Sequence, residues 1–432
     1  MRRGIGWVAL AVAGTAALAR PVRATDGHFL HGVGAVNSAM GGAGVAVKGD
    51  IIGSFYLNPA GLAGLESSRV ALGFEMFKPG RAVAGRYGTF DGATTSKSDF
   101  VPVPSFGWAL PLSDRLTVGL GAIGVGGFGV DYPADTGNPV LAPRPNGFGQ
   151  VFSNFGLLKI VPALGWQVTD RLSIGVALNV DYATLAVDPM PVASPAAGAN
   201  GAFYSGATAS DGAFGFGFQA GVIYDLGERL SVGASYASTQ TFEDFEYNAV
   251  YENPALSSFG TPRSLTFAMD VPAMIAGGLA LRPSDAVSIA ADVRYITYAS
   301  TAGFDKQGFD NTGAVLGFGW EDILVVAGGL ELQPVAGVFL RGGYNWSQNP
   351  VPDELSFFNV PAPAIVQHHA TLGLGFAAVD GFRLDLGYYH AFENEIDGQI
   401  WGPTGPVPGS SVKSSLKEDS FLVQFSFMGN RR

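Results

Sequence analysis

Side chains that could do chemistry are few and widely separated in this sequence. His368 and His369 are adjacent, and neighbouring residues of a strand point to opposite faces, so the pair could not chelate one ion from a regular strand. No Ser and His arrangement suited to a nucleophile stands out, and the absence of cysteine excludes thiol catalysis and disulfides. The sequence therefore predicts a protein that is not an enzyme, with no catalytic residue, no metal site and no cofactor.

A glycine pattern at residues 119–124 matches the GxGxxG fingerprint of dinucleotide-binding loops. That fingerprint needs a helix directly after it. The residues that follow, which include Gly126, Gly127 and Gly129, form a poor helix. The pattern therefore indicates a glycine-rich strand rather than a nucleotide site.

The charge of the chain argues against nucleic acid as a partner. The net charge is −11, whereas proteins that bind nucleic acid are basic. Charged residues make up only 14% of the chain, which suits a membrane barrel because lipid covers one face of each strand. An acidic group of Glu243, Asp244 and Glu246 is interpreted as a solvated rim, with divalent cations and lipopolysaccharide as the alternative ligands.

The elements that would position these residues are strands with alternating faces. About 14 segments have the length that a tilted strand needs to cross a bilayer. Short turns alternate with long loops rich in Pro, Gly, Ser and Asp, which is typical of bacterial outer-membrane barrels. The predicted strands are residues 67–78, 100–110, 115–130, 155–168, 171–185, 212–226, 229–242, 264–282, 286–300, 320–333, 336–347, 367–379, 382–393 and 418–428. The predicted fold is all-β, a transmembrane antiparallel β-barrel of about 14 strands.

Alternation along these strands places three charged side chains inside the barrel. Lys159 alternates with lipid-facing Leu158 and Ile160, and Asp292 and Arg294 lie opposite the apolar face of the strand 286–300. Two interpretations stay open: a salt-bridged network that holds a plug to the wall, or cations that bind the carboxylate of a fatty acid. The second interpretation makes Lys159 and Arg294 candidate substrate-binding residues.

The N-terminal region divides into a leader and a compact irregular segment. Residues 1–24 are predicted to be a secretory signal peptide, cleaved after Ala24 or alternatively after Ala19, with an uncleaved membrane anchor as a further alternative. Residues 25–65 are rich in Gly and Ala and broken by Asn58-Pro59, which suits neither a long helix nor a strand. We expect this segment to be a hatch that plugs a barrel formed by residues 66–432. His28 and His31 within it are interpreted as loop polarity.

Three short motifs in the hatch carry a resemblance to a known family. GHFLHGVG at residues 27–34, MGGAGVA at 40–46 and NPAGL at 58–62 resemble the start of the FadL family. That family comprises outer-membrane transporters of long-chain fatty acids and TodX-like channels for aromatic hydrocarbons. The resemblance covers the layout of the whole mature chain but only about 40 residues in motif, and the tail after Phe427 departs from the aromatic end that is usual for such barrels.

The resemblance implies a mechanism and assigns residues to it. Extracellular loops, about 186–211 and 247–263 here, would capture an apolar molecule and pass it to a site near Phe29 and Leu30. A kink in the third strand, at Gly124, Gly126 and Gly127, would open the wall sideways. The motif Asn58, Pro59 and Ala60 would fold the hatch.

The predicted function is passive uptake of hydrophobic small molecules, either long-chain fatty acids or aromatic and alkane hydrocarbons, in the outer membrane of a Gram-negative bacterium. Expected partners are the substrate, outer-membrane lipid and lipopolysaccharide, and we expect a monomer. Two alternatives are weighed against this. A lipid hydrolase would leave the hatch unexplained, and an open porin would not carry a plug of about 40 residues.

Overall fold

The computed structural model describes residues 26–98, 100–209 and 212–429. The predicted signal peptide, residues 1–24, lies outside this range. No helix in these ranges is both long and apolar enough to span a membrane.

Fourteen strands form a closed antiparallel barrel, which confirms the predicted fold. Each strand pairs with its neighbour in the chain, and the last strand pairs with the first from Arg69 opposite Met428 to Arg86 opposite Ser411. The strands are β1 (Arg69–Tyr87), β2 (Val101–Pro111), β3 (Leu116–Tyr132), β4 (Val151–Gln167), β5 (Leu172–Asp188), β6 (Ala213–Asp225), β7 (Leu230–Ala237), β8 (Met274–Ser284), β9 (Val287–Ile296), β10 (Ile323–Val335), β11 (Val338–Ser347), β12 (His368–Val379), β13 (Phe382–Gly398) and β14 (Ser411–Met428).

The period of two along each strand separates a lipid face from a lumenal face. On β5, Val176 and Leu178 are 53% and 61% exposed, whereas Asn179 and Asp181 are buried. An apolar outer face needs lipid, and a polar inner face needs partners within the lumen. The predicted inward orientation of Lys159, Asp292 and Arg294 is confirmed by their burial.

One predicted strand is wrong. Residues 264–282 were expected to form a single strand, but Pro262–Phe267 pairs with Phe245–Val250 in a separate hairpin and β8 begins at Met274. Pro272 lies between the two segments and has no N–H to donate to a ladder. The chain therefore leaves the wall before it re-enters it.

The loops contain further short strands and 3-10 helices. Phe90–Thr95 pairs with the end of β1, and Thr241–Phe242 extends the edge of β6. The remaining short strands are Ala196–Gly198 with Gly201–Phe203 and Trp401–Gly402 with Gly405–Pro406, and two short 3-10 helices lie at Tyr298–Ser300 and Asp353–Leu355.

Residues 26–65 fill the lumen with two short helices, α1 (Ala35–Ala39) and α2 (Ile51–Tyr56), and a 3-10 helix at Pro59–Leu62. Asn58 begins the 3-10 helix because its side-chain oxygen accepts a hydrogen bond from the Ala60 N–H at 3.0 Å, and Pro59 supplies the fixed φ of a first helical residue. The Asn58 amide also donates to the carbonyl oxygen of Val45 at 2.7 Å, which ties two hatch turns together.

Wall glycines make room for the hatch. A Cβ on Gly121 would lie 2.7 Å from Cγ of Phe55, and one on Gly119 would lie 2.9 Å from its Cζ. Gly107 on β2 faces Ile52 in the same way, at 2.9 Å. Gly119 and Gly121 of the glycine pattern therefore serve a close approach between wall and hatch.

Candidate functional site

The wall changes its register in the middle of β3. Gly124 is opposite Leu158 on β4, Gly126 is opposite Leu157, and Val125 is the extra residue between them. The buried, inward-facing positions change from odd numbers, such as Ile123, to even numbers above the shift. One extra residue that reverses the alternation defines a β-bulge.

Beside this bulge the ladder between β2 and β3 stops. The last paired residues are Ser105 and Ile123, and the next backbone hydrogen bond to β3 comes from Lys97 N–H to the Asp131 oxygen, at 2.8 Å. Pro102 and Pro104 in this part of β2 have no N–H and cannot donate to a neighbouring strand. The wall therefore contains a gap between β2 and β3.

The hatch pairs with the bulge on its lumenal side. Leu30 N–H donates to the Val125 oxygen, and Gly127 N–H donates to the His28 oxygen, both at 2.9 Å. Phe29 forms a bridge with Gly126, where a Cβ would lie 2.3 Å from the His28 oxygen. The structure therefore brings together Phe29 and Leu30 with the three glycines that the sequence pointed to.

A cavity of about 530 Å³ lies at this gap. Its lining includes His28 and Phe29 on the hatch and the inward-facing Arg81 and Glu418. It also includes side chains from the lipid side of the wall. The cavity therefore extends from the lumen through the β2–β3 gap. Its lipid-side lining includes Leu158, Tyr182 and Thr184.

An aromatic cluster surrounds His28 at the edge of the cavity. The His28 ring stacks on Phe29 and Phe304, with centroids 4.4 and 5.4 Å apart, and its Nδ1 lies 3.0 Å from the Tyr298 hydroxyl. Burial, with a smaller contribution from Lys159, lowers the pKa of His28 to about 3, so the imidazole stays neutral. The interpretation of His28 and His31 as loop polarity is wrong, because both side chains are buried.

Two narrow apolar cavities continue from this cluster toward the extracellular loops. The inner one, of about 20 Å³, shares Phe128 with the lateral cavity. It shares Pro191, Val315 and Phe358 with an outer one of similar size, which is also lined by Phe148. The outer cavity draws on the loops after β3, β5, β9 and β11, so the loop after β7, which the resemblance implied, does not line it.

A family model described as outer membrane protein transport protein (OMPP1/FadL/TodX) matches residues 17–400. The chain belongs to this family. It is therefore an outer-membrane transport channel and not an enzyme. The comparison with curated protein sequences gave no match.

Solved structures of this family share the fold at low sequence identity. The toluene transporter TodX of Pseudomonas putida is 17% identical, with a TM-score of 0.69 over 93% of this chain and 100% of that one. A FadL homologue of Pseudomonas aeruginosa is 15% identical, with a TM-score of 0.72 over 93% and 99% of the two chains. The toluene transporter TbuX of Ralstonia pickettii is 18% identical, with a TM-score of 0.66 over the same shares.

In this FadL/TodX-family chain Arg294 holds the hatch to the wall. Its guanidinium is fully buried and donates to Asp26 Oδ2 at 2.9 Å and to the backbone oxygens of His31 and Gly42 at 3.0 and 2.6 Å. Burial raises the pKa of Asp26 to about 6, although the charge of Arg294 acts in the opposite direction. Asp292 accepts from Gly44 N–H at 2.6 Å. These contacts match the network interpretation, and a substrate contact by Arg294 stays a prediction.

Lys159 lies in the lumen near the aromatic cluster. Its Nζ is 2.7 Å from Gln240 Oε1 and 3.8 Å from Asp181 Oδ2. It lies close enough to His28 to affect its pKa, but it is not among the residues that line the lateral cavity. Its role as a substrate-binding cation stays a prediction.

The adjacent histidines diverge as the strand period requires. His369 is buried and stacks on His31 with ring centroids 4.7 Å apart, whereas His368 contacts Tyr344, whose side chain is exposed on the outer face. Across the described ranges, no group of three His, Cys, Asp or Glu residues is arranged to hold a metal ion.

Proposed function

We propose that this chain is a passive channel for long-chain fatty acids or for aromatic or alkane hydrocarbons, and that it releases them sideways through the β2–β3 gap. The observation that carries the proposal is the lateral cavity, which joins the hatch to the lipid face where the ladder is interrupted. Lipopolysaccharide resists apolar solutes, and an apolar route that ends in the bilayer avoids a crossing through water.

In this mechanism the molecule enters among the extracellular loops and passes the aromatic cluster to Phe29 and Leu30. The two narrow cavities, each of about 20 Å³, are too small for a substrate, so the loops and Phe128 shift during passage. The hatch segment at Phe29 forms the inner edge of the exit. Outer-membrane lipid receives the molecule, and one chain contains the whole route, so a monomer suffices.

The relatives with solved structures bear on the substrate class. Two of them are named as toluene transporters and one as a FadL homologue. The apolar and aromatic lining of the lateral cavity suits a hydrocarbon ring or chain equally well.

The test is uptake of radiolabelled toluene and oleate by cells that lack their own transporter, with and without this protein. A Gly124→Val variant narrows the gap, because a Cβ at Gly124 would meet Val103 Cγ1 at 2.5 Å. A Gly277→Val variant is the matched control, because a Cβ there has no neighbour closer than 3.9 Å. We expect uptake of at least one compound, its loss in Gly124→Val and its retention in Gly277→Val.

The same assay separates the channel from an open porin. The hatch fills the lumen, so a small hydrophilic solute should enter no faster with the protein than without it. Fast entry of the hydrophilic solute, with no uptake of toluene or oleate, would refute the proposal.

A further inference from the structure

The lateral cavity contains one charged pair within an apolar lining. Arg81 on β1 and Glu418 on β14 both line it and are 7% and 4% exposed. Their neighbours in the lining are mostly aromatic or aliphatic, including Phe77, Phe155 and Leu416. Charged groups are costly to bury in apolar surroundings unless they have partners, so this pair requires an explanation.

Each member of the pair has one buried atom without a hydrogen-bond partner in the described part of the chain. Arg81 Nη1 is buried, and nothing in the described ranges accepts a hydrogen bond from it. Glu418 Oε2 is likewise buried without a donor among these residues, and His369 Nε2 lies 3.9 Å from it, beyond hydrogen-bond distance. A buried donor and a buried acceptor thus remain unsatisfied at one cavity.

The strand register places these two groups side by side. Arg81 is opposite Leu416, and Glu418 is opposite Pro79, so their side chains leave adjacent strands two residues apart. Long side chains at such diagonal positions reach the same space. A small polar group between them could accept from the guanidinium and donate to the carboxylate.

We propose that Arg81 and Glu418 bind the hydroxyl group of a neutral amphiphile, a phenol or an alcohol, whose apolar part fills the lateral cavity. This proposal rests on the proposed channel function and specifies the substrate class. A hydroxyl group satisfies both side chains because it is a donor and an acceptor. A bare hydrocarbon would leave both without partners.

A carboxylate ligand fits this wall less well than a hydroxyl. Glu75 lies near Glu418 but does not line the cavity, and its Oε1 already accepts from Tyr389 at 2.8 Å and Ser420 at 2.7 Å. A ligand carboxylate in the cavity would bring a second acidic group beside Glu418, where only one guanidinium lines the wall.

The test uses three ligands with one ring: toluene, p-cresol and p-toluate. Equilibrium dialysis of radiolabelled ligand against the purified full-length protein in detergent gives each affinity. We expect p-cresol to bind about tenfold more tightly than toluene, and p-toluate no more tightly than toluene. Arg81→Leu and Glu418→Gln should each lower the p-cresol affinity about tenfold and leave the toluene affinity unchanged. The exposed Arg86→Leu, on the same strand, is the matched control.

The outcomes separate this proposal from the channel itself. If toluene and p-cresol bind with equal affinity, and neither Arg81→Leu nor Glu418→Gln changes the p-cresol affinity, the hydroxyl site is refuted while the channel function stands. If p-toluate binds most tightly and Arg81→Leu abolishes it, the site is a carboxylate site and the proposal is overturned. If none of the three ligands binds, and none is taken up by cells, the channel function fails together with it. A difference in gel mobility between heated and unheated samples of each variant shows that its barrel is folded.

Discussion

Deleting Val125 should close the lateral exit. Val125 is the extra residue of the bulge, and without it the inward-facing positions of β3 continue in one parity through residue 132. The edge of β3 that does not pair with β2 runs from residue 124 to 130, about 23 Å at roughly 3.3 Å per residue. A straight β3 would approach β2 along this edge and would no longer present the Val125 oxygen to Leu30.

We expect toluene or oleate uptake to fall at least about tenfold, which corresponds to about 1.4 kcal/mol of added barrier. The stability of the barrel should change little, because the deletion removes two hatch hydrogen bonds worth about 0.5–1.5 kcal/mol each and regains wall pairing. Uptake rates are compared at equal amounts of folded protein in the outer membrane.

Val125→Ala is the matched control, because it shortens the side chain and keeps the bulge. It should transport at the rate of the parent chain. A folded deletion variant that transports as fast as the parent would refute the lateral exit at this bulge, and the search would move to a route along the hatch toward the periplasm.

Three further predictions concern the hatch, each measured by hydrogen exchange of the hatch amides. Arg294→Met should weaken hatch docking by about 3–5 kcal/mol, because it leaves Asp26 buried without its ion pair. Ion conductance in planar bilayers should rise as well. Unchanged hydrogen exchange of the hatch amides would contradict this prediction. His28 has a pKa of about 3 in the docked hatch and about 6.5 when the hatch is undocked. Its contribution to the free energy of hatch docking is therefore complete above pH 6.5 and falls by about 2 kcal/mol at pH 5, because the undocked imidazole takes up a proton. His28→Phe should remove that loss, and an identical pH profile would disprove the linkage. Gly121→Val should destabilise the docked hatch by about 1–3 kcal/mol through collision with Phe55, whereas Gly277→Val should not.

The barrel could be predicted from the sequence because each strand carries its own signal. Alternation along β5 and the short turn before it depend only on neighbouring residues, and the structure contains both as predicted. The prediction of one strand over residues 264–282 was wrong because an apolar hairpin strand and a wall strand follow each other closely there. Pro272, which cannot donate a ladder hydrogen bond, is the signal in the sequence that separates the hairpin strand from the wall strand.

The candidate site was only half predictable. The glycines of β3 suggested a kink. Pro102 and Pro104 on the facing edge of the gap also carry a signal, because prolines at alternate positions indicate a strand edge that cannot donate to a neighbour, but the prediction did not include them. The pairing of Arg294 with Asp26 joins residues 268 positions apart. Nothing local in the sequence encodes such a contact, because it depends on how the hatch turns inside the closed barrel.

The recess around Phe55 has a consequence for how this sequence can vary. Gly119 and Gly121 leave room for the ring of Phe55, and Gly107 leaves room for Ile52, so a larger residue at one of these wall positions requires a smaller one at the hatch position that it faces. The inner face of β2 and β3 and the helix α2 therefore constitute one unit of covariation. A redesign of the lumen must therefore change the facing residues of the wall and of the hatch at the same time.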